Sequence, residues 1–262
     1  MDSLKNKTLW DWMGLLFIPM ALLIGGYLLN QSQIKQQNNI EEERIKRQNQ
    51  LESRRISEQR FIEDERNYIN ILNNFRRSIT DLMINGSLND SGYHPVSVQA
   101  ATALTASTAP QLDGERKGQM IIFLYNARLI MKDNPRIYLA DIDLSGANLA
   151  NTRLVGINLR KSNLAQAKFT NADLTQANFT SAQLADADLS QSKLIATNFT
   201  DARLRGTIIS EHPAHSSIKE NQELIESLSR AQHWQEAVLS PPLQARLKHL
   251  QPSKETAKDK KP

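Results

Sequence analysis

The chain has 262 residues, no cysteine, 6% aromatic residues and a formal net charge of +4 with both signs well represented. The absence of cysteine removes disulfides, thiolate metal sites and cysteine nucleophiles, while leaving the redox compartment open. So few aromatic residues argue against one large conventional core, and the charge is too mild and too mixed for a nucleic-acid-binding surface.

From 12 to 29 the sequence reads WMGLLFIPMALLIGGYLL, eighteen residues without a charge. At about 1.5 Å per residue such a stretch just spans a hydrocarbon core of about 30 Å. Trp10, Trp12 and Tyr27 stand near its ends, where amphipathic rings favour the interface. The following LLNQSQ lacks the small-x-small site of a cleaved signal peptide. Residues 1–30 are therefore expected to be an uncleaved single-pass anchor in the lipid bilayer. Lys35, Arg44, Lys46 and Arg47 lie after the span and Lys5 and Lys7 precede it, which places the body in the cytoplasm. Counting only the nearest charges reverses that orientation.

Residues 31–85 are expected to form a charged helical stalk. Up to 66 they are mostly Gln, Asn, Glu and Arg, without Gly or Pro. Ile34, Ile45 and Ile56 are eleven residues apart, as are Ile40, Leu51 and Ile62. That spacing suits about 3.67 residues per turn and a straight or slightly right-handed assembly. Glu42–Lys46 and Glu43–Arg47 stand in the favourable i, i+4 order. Two readings stand side by side: a solvated single helix, and a coiled-coil stalk that joins copies of the chain into a homo-oligomer. Ile69, Leu72, Phe75, Ile79, Leu82 and Met83 then thicken the apolar pattern, and Asn85-Gly86 looks like a C-cap.

Residues 86–136 form a helical adaptor in this reading. SLNDSGYHP at 87–95 is a loop, 96–109 a short helix ending before Pro110, and 115–132 a helix with Asp113 as candidate N-cap. Its apolar side, Met120 to Tyr125 with Leu129 and Ile130, is expected to cover the near end of the segment that begins at 137.

From Leu139 to Ile209 a period of five holds without a slip. Its fifteen centres are all Leu, Phe or Ile, and the residue two before each is small or β-branched, as at Ala147, Thr152, Ile157, Ser162 and Ala167. Neither the 3.6-residue period of a helix nor the two-residue period of a strand produces this. The units ANL at 147–149, ADL at 172–174, ANF at 177–179 and ADL at 187–189 resemble the A(D/N)Lxx pattern of the pentapeptide-repeat family. The resemblance implies a right-handed quadrilateral β-helix over 137–209, just under four coils of twenty residues. Centres would point to the axis, and residues twenty apart would stack, Phe179 over Phe199 and Leu184 between Leu164 and Leu204. Such a core is filled and leaves no interior cavity. Helices in 210–250, one from about 217 to 238 ended by Pro241-Pro242 and a short one around 243–250, are expected to cap the far end. Residues 251–262 read as a disordered basic tail.

Motifs for chemistry are scarce. His94, His212, His215, His233 and His249 form no ligand pattern, and no phosphate loop, nucleophile motif or dinucleotide fingerprint is present. No catalytic, cofactor-binding or metal-ligating residue is assigned, no cofactor is expected, and the chain is read as not an enzyme. Asp141, Asp143, Asp173, Asp186, Asp188 and Asp201 fall on the outside by register, and Arg160-Lys161 reads as a solvated face. Some pentapeptide-repeat proteins imitate DNA with a long acidic rod. Here six acidic and seven basic residues between 137 and 209 leave the rod near neutral, so that reading is minor.

The LDGERKGQMIIFLYNARLI stretch at 112–130, with the anchor and charged helix, also resembles membrane-anchored pentapeptide-repeat proteins of photosynthetic bacteria. That resemblance implies a plasma or thylakoid-type membrane. The expected function is a membrane-tethered scaffold presenting a rigid solenoid surface to a membrane or membrane-associated protein. The alternative is a regulatory or assembly factor acting on a membrane enzyme or transporter.

Overall fold

The structure, a computed structural model, describes residues 9–85, 88, 95–211 and 222–250. The chain divides into two compact units, residues 1–64 and 65–262.

The first unit is helical. Helix α1 runs Leu9–Ile84 and holds Pro19 within it. Among the described residues no helix is long and apolar enough to cross a membrane. The span expected over 12–29 is therefore without structural support. The side chains of residues 12, 13, 15 and 16, which begin it, lie outside the described ones. Phe17, Ile18, Met20, Leu22, Leu23, Ile24, Leu28 and Leu29 are all exposed.

In the second unit α1 acquires a buried side. Leu72, Phe75 and Ile79 are buried, and the Phe75 ring meets Phe123 edge-on at 6.3 Å. Helix α2, Pro95–Thr108, buries Val98 and Ala101, and a short 3-10 turn at Ala109–Gln111 leads to helix α3, Gly114–Asn126. Asp113 caps α3, its carboxylate accepting the Arg116 N–H at 2.8 Å. The helix expected to reach 132 ends at Asn126. Leu129 and Ile130 do not continue it: they are buried where the chain turns into the ladder, with Met131 bridging Ile157 and the Ile130 carbonyl accepting the Asn158 N–H at 2.8 Å. The loop expected over 87–95 lies outside the described residues apart from Leu88 and Pro95.

The repeats wind into a four-sided β-helix. Parallel bridges join Asp143 to Asn163, Asn163 to Gln183 and Gln183 to Arg203, and the same offset recurs on the other sides, so one coil takes twenty residues. All fifteen centres from Leu139 to Ile209 are buried, none exposing more than 4%. The residues two before them are buried too, apart from the half-buried Thr152. Phe179 stacks on Phe199 with centroids 5.1 Å apart and ring planes 2° from parallel, and meets Phe169 edge-on at 5.6 Å. That stacking distance matches the ~4.8 Å spacing of adjacent strands, which fixes how closely successive coils can lie.

Each side ends in a tight turn. The N–H two places before one centre returns to the carbonyl of the previous centre, as from Ala177 to Leu174 at 2.9 Å. The second residue after each centre from 139 to 204 has positive φ; only Gly146, Gly156 and Gly206 are glycine, and the others include Lys161, Gln176 and Ala196. Each non-glycine residue there stores about 1–2 kcal/mol of strain. The ladders between coils and the buried centres on both flanks impose that geometry on whatever residue occupies the corner.

Strands β1, Asp188–Ser192, and β2, Ile208–Glu211, pair in parallel, and β2 pairs with β3, Val238–Leu239. The single helix expected from about 217 to 238 is instead helix α4, Gln222–Ser229, with a return to the ladder after it; residues 212–221 lie outside the described ones. The Gln232 carbonyl accepts the Leu204 N–H at 3.0 Å, and the Val238 N–H donates to Thr207 at 2.8 Å. Trp234, in a 3-10 turn, is buried over the last coil. Pro241-Pro242 do not end a helix but open one, α5, Pro241–Leu250, where a missing N–H costs nothing. The tail 251–262 lies outside the described residues.

Candidate functional site

The axis of the array is closed to ligands, so its chemistry lies on the wall. At eight of the fifteen centres the outward residue just before is Asp or Asn, and its side chain folds back to accept the N–H two residues further on. Asn178 Oδ1 accepts the Thr180 N–H at 3.0 Å and its hydroxyl at 2.6 Å, and Asn198 Oδ1 accepts the Thr200 N–H at 2.9 Å. The Asn178 amide donates to Asn158 Oδ1 on the previous coil at 3.3 Å. These groups hold the wall flat.

Three of the outward aspartates, Asp143, Asp173 and Asp188, do the same work. Burial pushes the Asp188 carboxyl up, but the Ser190 hydroxyl and N–H, the Thr170 hydroxyl and Lys168 outweigh it and hold the group below the ordinary carboxylate range. Asp143 is likewise lowered, burial being outweighed by the Ser145 hydroxyl and N–H and by Lys117. A carboxyl depressed in the folded state stabilises the fold above its unfolded pKa, and that stabilisation disappears as pH falls through the folded value. Denaturant midpoints measured from neutral pH downwards are therefore expected to drop in the acid range, and to drop less steeply there for Asp188→Asn.

The N-terminal lid is built from LDGERKG. Lys117 is buried, and its ammonium donates to the Ser145 carbonyl at 3.0 Å and lies 3.4 Å from Asp143. Burial would lower the Arg116 guanidinium, yet Asp113 and Glu65, both paired with it, hold it above its usual value. Gly114 and Gly118 let the helix lie directly on the first coil, where the Gly114 carbonyl accepts the Asn148 N–H at 2.8 Å. The charged motif is thus committed to closing the solenoid's open edge.

An open polar groove of about 400 Å³ runs along one edge of the array. Asn178 and Asn198 form its floor, Lys132 and Asp133 stand at the end held by the Lys132 N–H bond to Gly156, and Glu226 on α4 and Arg230 just past its end stand at the other. Ser227 ties α4 to the wall through the Thr197 carbonyl at 3.1 Å. Each end of the groove offers one acid and one base. The sequence reading missed it, because three of its parts are distant in the chain and none carries a motif. Arg160 and Lys161 lie exposed at a corner of the wall. His233 Nδ1 is 3.0 Å from Glu236, which also pairs with Arg205 at 3.0 Å, all three well exposed. His94, His212 and His215 lie outside the described residues. Among the described residues no three His, Asp or Glu side chains group as metal ligands would.

Residues 142–180 and 182–211 match the family model for pentapeptide repeats, in eight copies. The array is a pentapeptide-repeat solenoid, the right-handed quadrilateral β-helix that class forms. Solved structures with similarity include a pentapeptide repeat protein of the Arabidopsis thaliana thylakoid lumen, 34% identical over 26% of this chain and 47% of that one, TM-score 0.26. HetL of the cyanobacterium Nostoc, involved in heterocyst differentiation regulation, is 35% identical over 26% of this chain and 31% of that one, TM-score 0.19. A pentapeptide repeat protein of the cyanobacterium Cyanothece is 23% identical over 41% of this chain and 63% of that one, TM-score 0.17. The chain spans less than two thirds of each of these. No curated protein matches the chain.

Proposed function

We propose that the protein is a membrane-tethered, non-enzymatic scaffold whose repeat wall binds a protein partner. The observation that carries this is the filled axis: every centre of the array is inaccessible, so among the described residues the array acts through its polar wall and the open groove along it. Pentapeptide-repeat proteins are in general interaction modules without catalysis. The tether rests on the uncharged run at 12–29 and on the exposure of its described apolar side chains, which lipid would cover.

The test uses the full chain in its native membranes. After an alkaline wash it should stay with the membrane, and a chain lacking residues 1–30 should be released. Cross-linking with mass spectrometry should then give neighbours whose links map to the groove and disappear in Gln176→Arg and Arg230→Glu, with melting unchanged. A full chain washed free of the membrane, or links indifferent to both substitutions, would contradict the proposal.

A further inference from the structure

Within α1, residues 34–66 spell one eleven-residue pattern three times. Ile34, Gln37, Ile40, Glu41 and Arg44 are succeeded by Ile45, Gln48, Leu51, Glu52 and Arg55, and then by Ile56, Gln59, Ile62, Glu63 and Arg66. The intervening positions drift: Lys35, Lys46 and Ser57 share one place, and Gln36, Arg47 and Glu58 another. Eleven residues make close to three turns, so each repeated residue forms a stripe along the helix. Taken in angular order at about 98° per residue, the stripes are Ile or Leu, Arg, Gln, Glu and Ile, all within an arc of about 130°. Most of the drifting positions fill the rest of the circumference. Water meets every side of a lone helix alike and gives no reason for only one face to repeat.

That face is uncovered within the chain. Ile34, Ile40, Ile45, Leu51, Ile56 and Ile62 expose 42–61% of their surface. Among the described residues Glu41, Arg44, Glu52, Arg55 and Glu63 make no ion pair. The charges also specify what fits. Glu lies on one side of the glutamine stripe and Arg on the other. When two parallel copies pair about a twofold along their length, the Glu side of each meets the Arg side of its mate on both flanks. Antiparallel pairing would set Glu against Glu and Arg against Arg.

We propose that residues 34–63 bind the same stretch of a second copy, parallel and in register, through this face. Glutamines line the seam and fix the register, as a polar residue in a coiled-coil core does at some cost in stability. Isoleucine and leucine close over both flanks.

The chain has no cysteine, so single cysteines report without background. Gln37→Cys, Gln48→Cys and Gln59→Cys would be made in the full chain, oxidised mildly in detergent and run without reductant. A disulfide needs Cβ atoms about 3.8 Å apart, which only a seam position offers to its own copy. Each of the three should give linked dimers about tenfold or more faster than Lys46→Cys or Ser57→Cys on the opposite face, because pairing raises the local thiol concentration. In Gln48→Cys, adding Glu52→Arg should slow linking, and adding Arg55→Glu as well should restore it. Linking of Gln48→Cys alone, with Gln37→Cys joining only to Gln59→Cys, would mean antiparallel pairing and overturn the proposal. So would seam cysteines that link no faster than Lys46→Cys.

Discussion

Phe179→Ala is expected to lower the stability of the array by about 3–5 kcal/mol, the range for deleting a fully buried aromatic ring. The effect should be at the upper end. Phe179 touches rings on two sides, Phe199 stacked below it and Phe169 edge-on, so its removal breaks two aromatic contacts as well as opening a cavity. The cavity cannot collapse easily, because ladder bonds to both neighbouring coils hold the backbone in place, Phe179 N–H to Asn198 on one side and Asn178 N–H to Ile157 on the other. Phe179→Leu should recover much of the loss, since leucine fills eleven of the fifteen centres. Urea titration of the three proteins, monitored by the ultraviolet circular dichroism of the array, checks both statements. Equal losses for Ala and Leu would mean that aromatic stacking, more than axial filling, holds this coil.

Gly118→Ala should be destabilising by about 3 kcal/mol, although alanine is the better helix former by about 1 kcal/mol. A Cβ there would press on the Asn148 carbonyl, both oxygen and carbon, and neither is the end of a flexible side chain. The helix can accept the methyl group only by lifting off the first coil. That would pull Lys117 from the Ser145 carbonyl and uncover Met120, Ile121 and Leu124. Hydrogen exchange should show the loss first at the Asn148 N–H, whose acceptor is Gly114. A variant that melts higher than the parent would show that helix propensity, not close approach, governs this site.

How much could be read in advance depends on where the information is stored. The array was legible because a solenoid repeats one small rule: side length, inward centre and inward small residue are all local in sequence, so the Phe179–Phe199 stack came from counting alone. The corners were not legible. Their left-handed backbone is imposed by the coils above and below, and residues as different as Lys161 and Ala196 adopt it. The lids were half legible. Leu224, Leu228 and Trp234 fit helical spacing, yet past Ser229 the exposed edge of the last coil offers ladder partners that a free helix end lacks, and the chain takes them. The same competition stops α3 at Asn126 and turns Met131 towards Ile157. The groove between Lys132 and Arg230 arises from these two departures, which is why nothing in the chain announces it.

Removing one whole coil puts the twenty-residue geometry to the sharpest test. Deleting residues 164–183 joins Asn163 to Leu184, and because Asn163 lies over Gln183 every later residue keeps its side of the square. Deleting 166–183 instead removes eighteen residues and throws every later centre out of phase. The twenty-residue deletion should melt cooperatively with a β-rich spectrum, at a somewhat lower temperature, and the eighteen-residue deletion should not fold. Two deletions that behave alike, both folded or both collapsed, would contradict a wall built from twenty-residue coils around a packed axis.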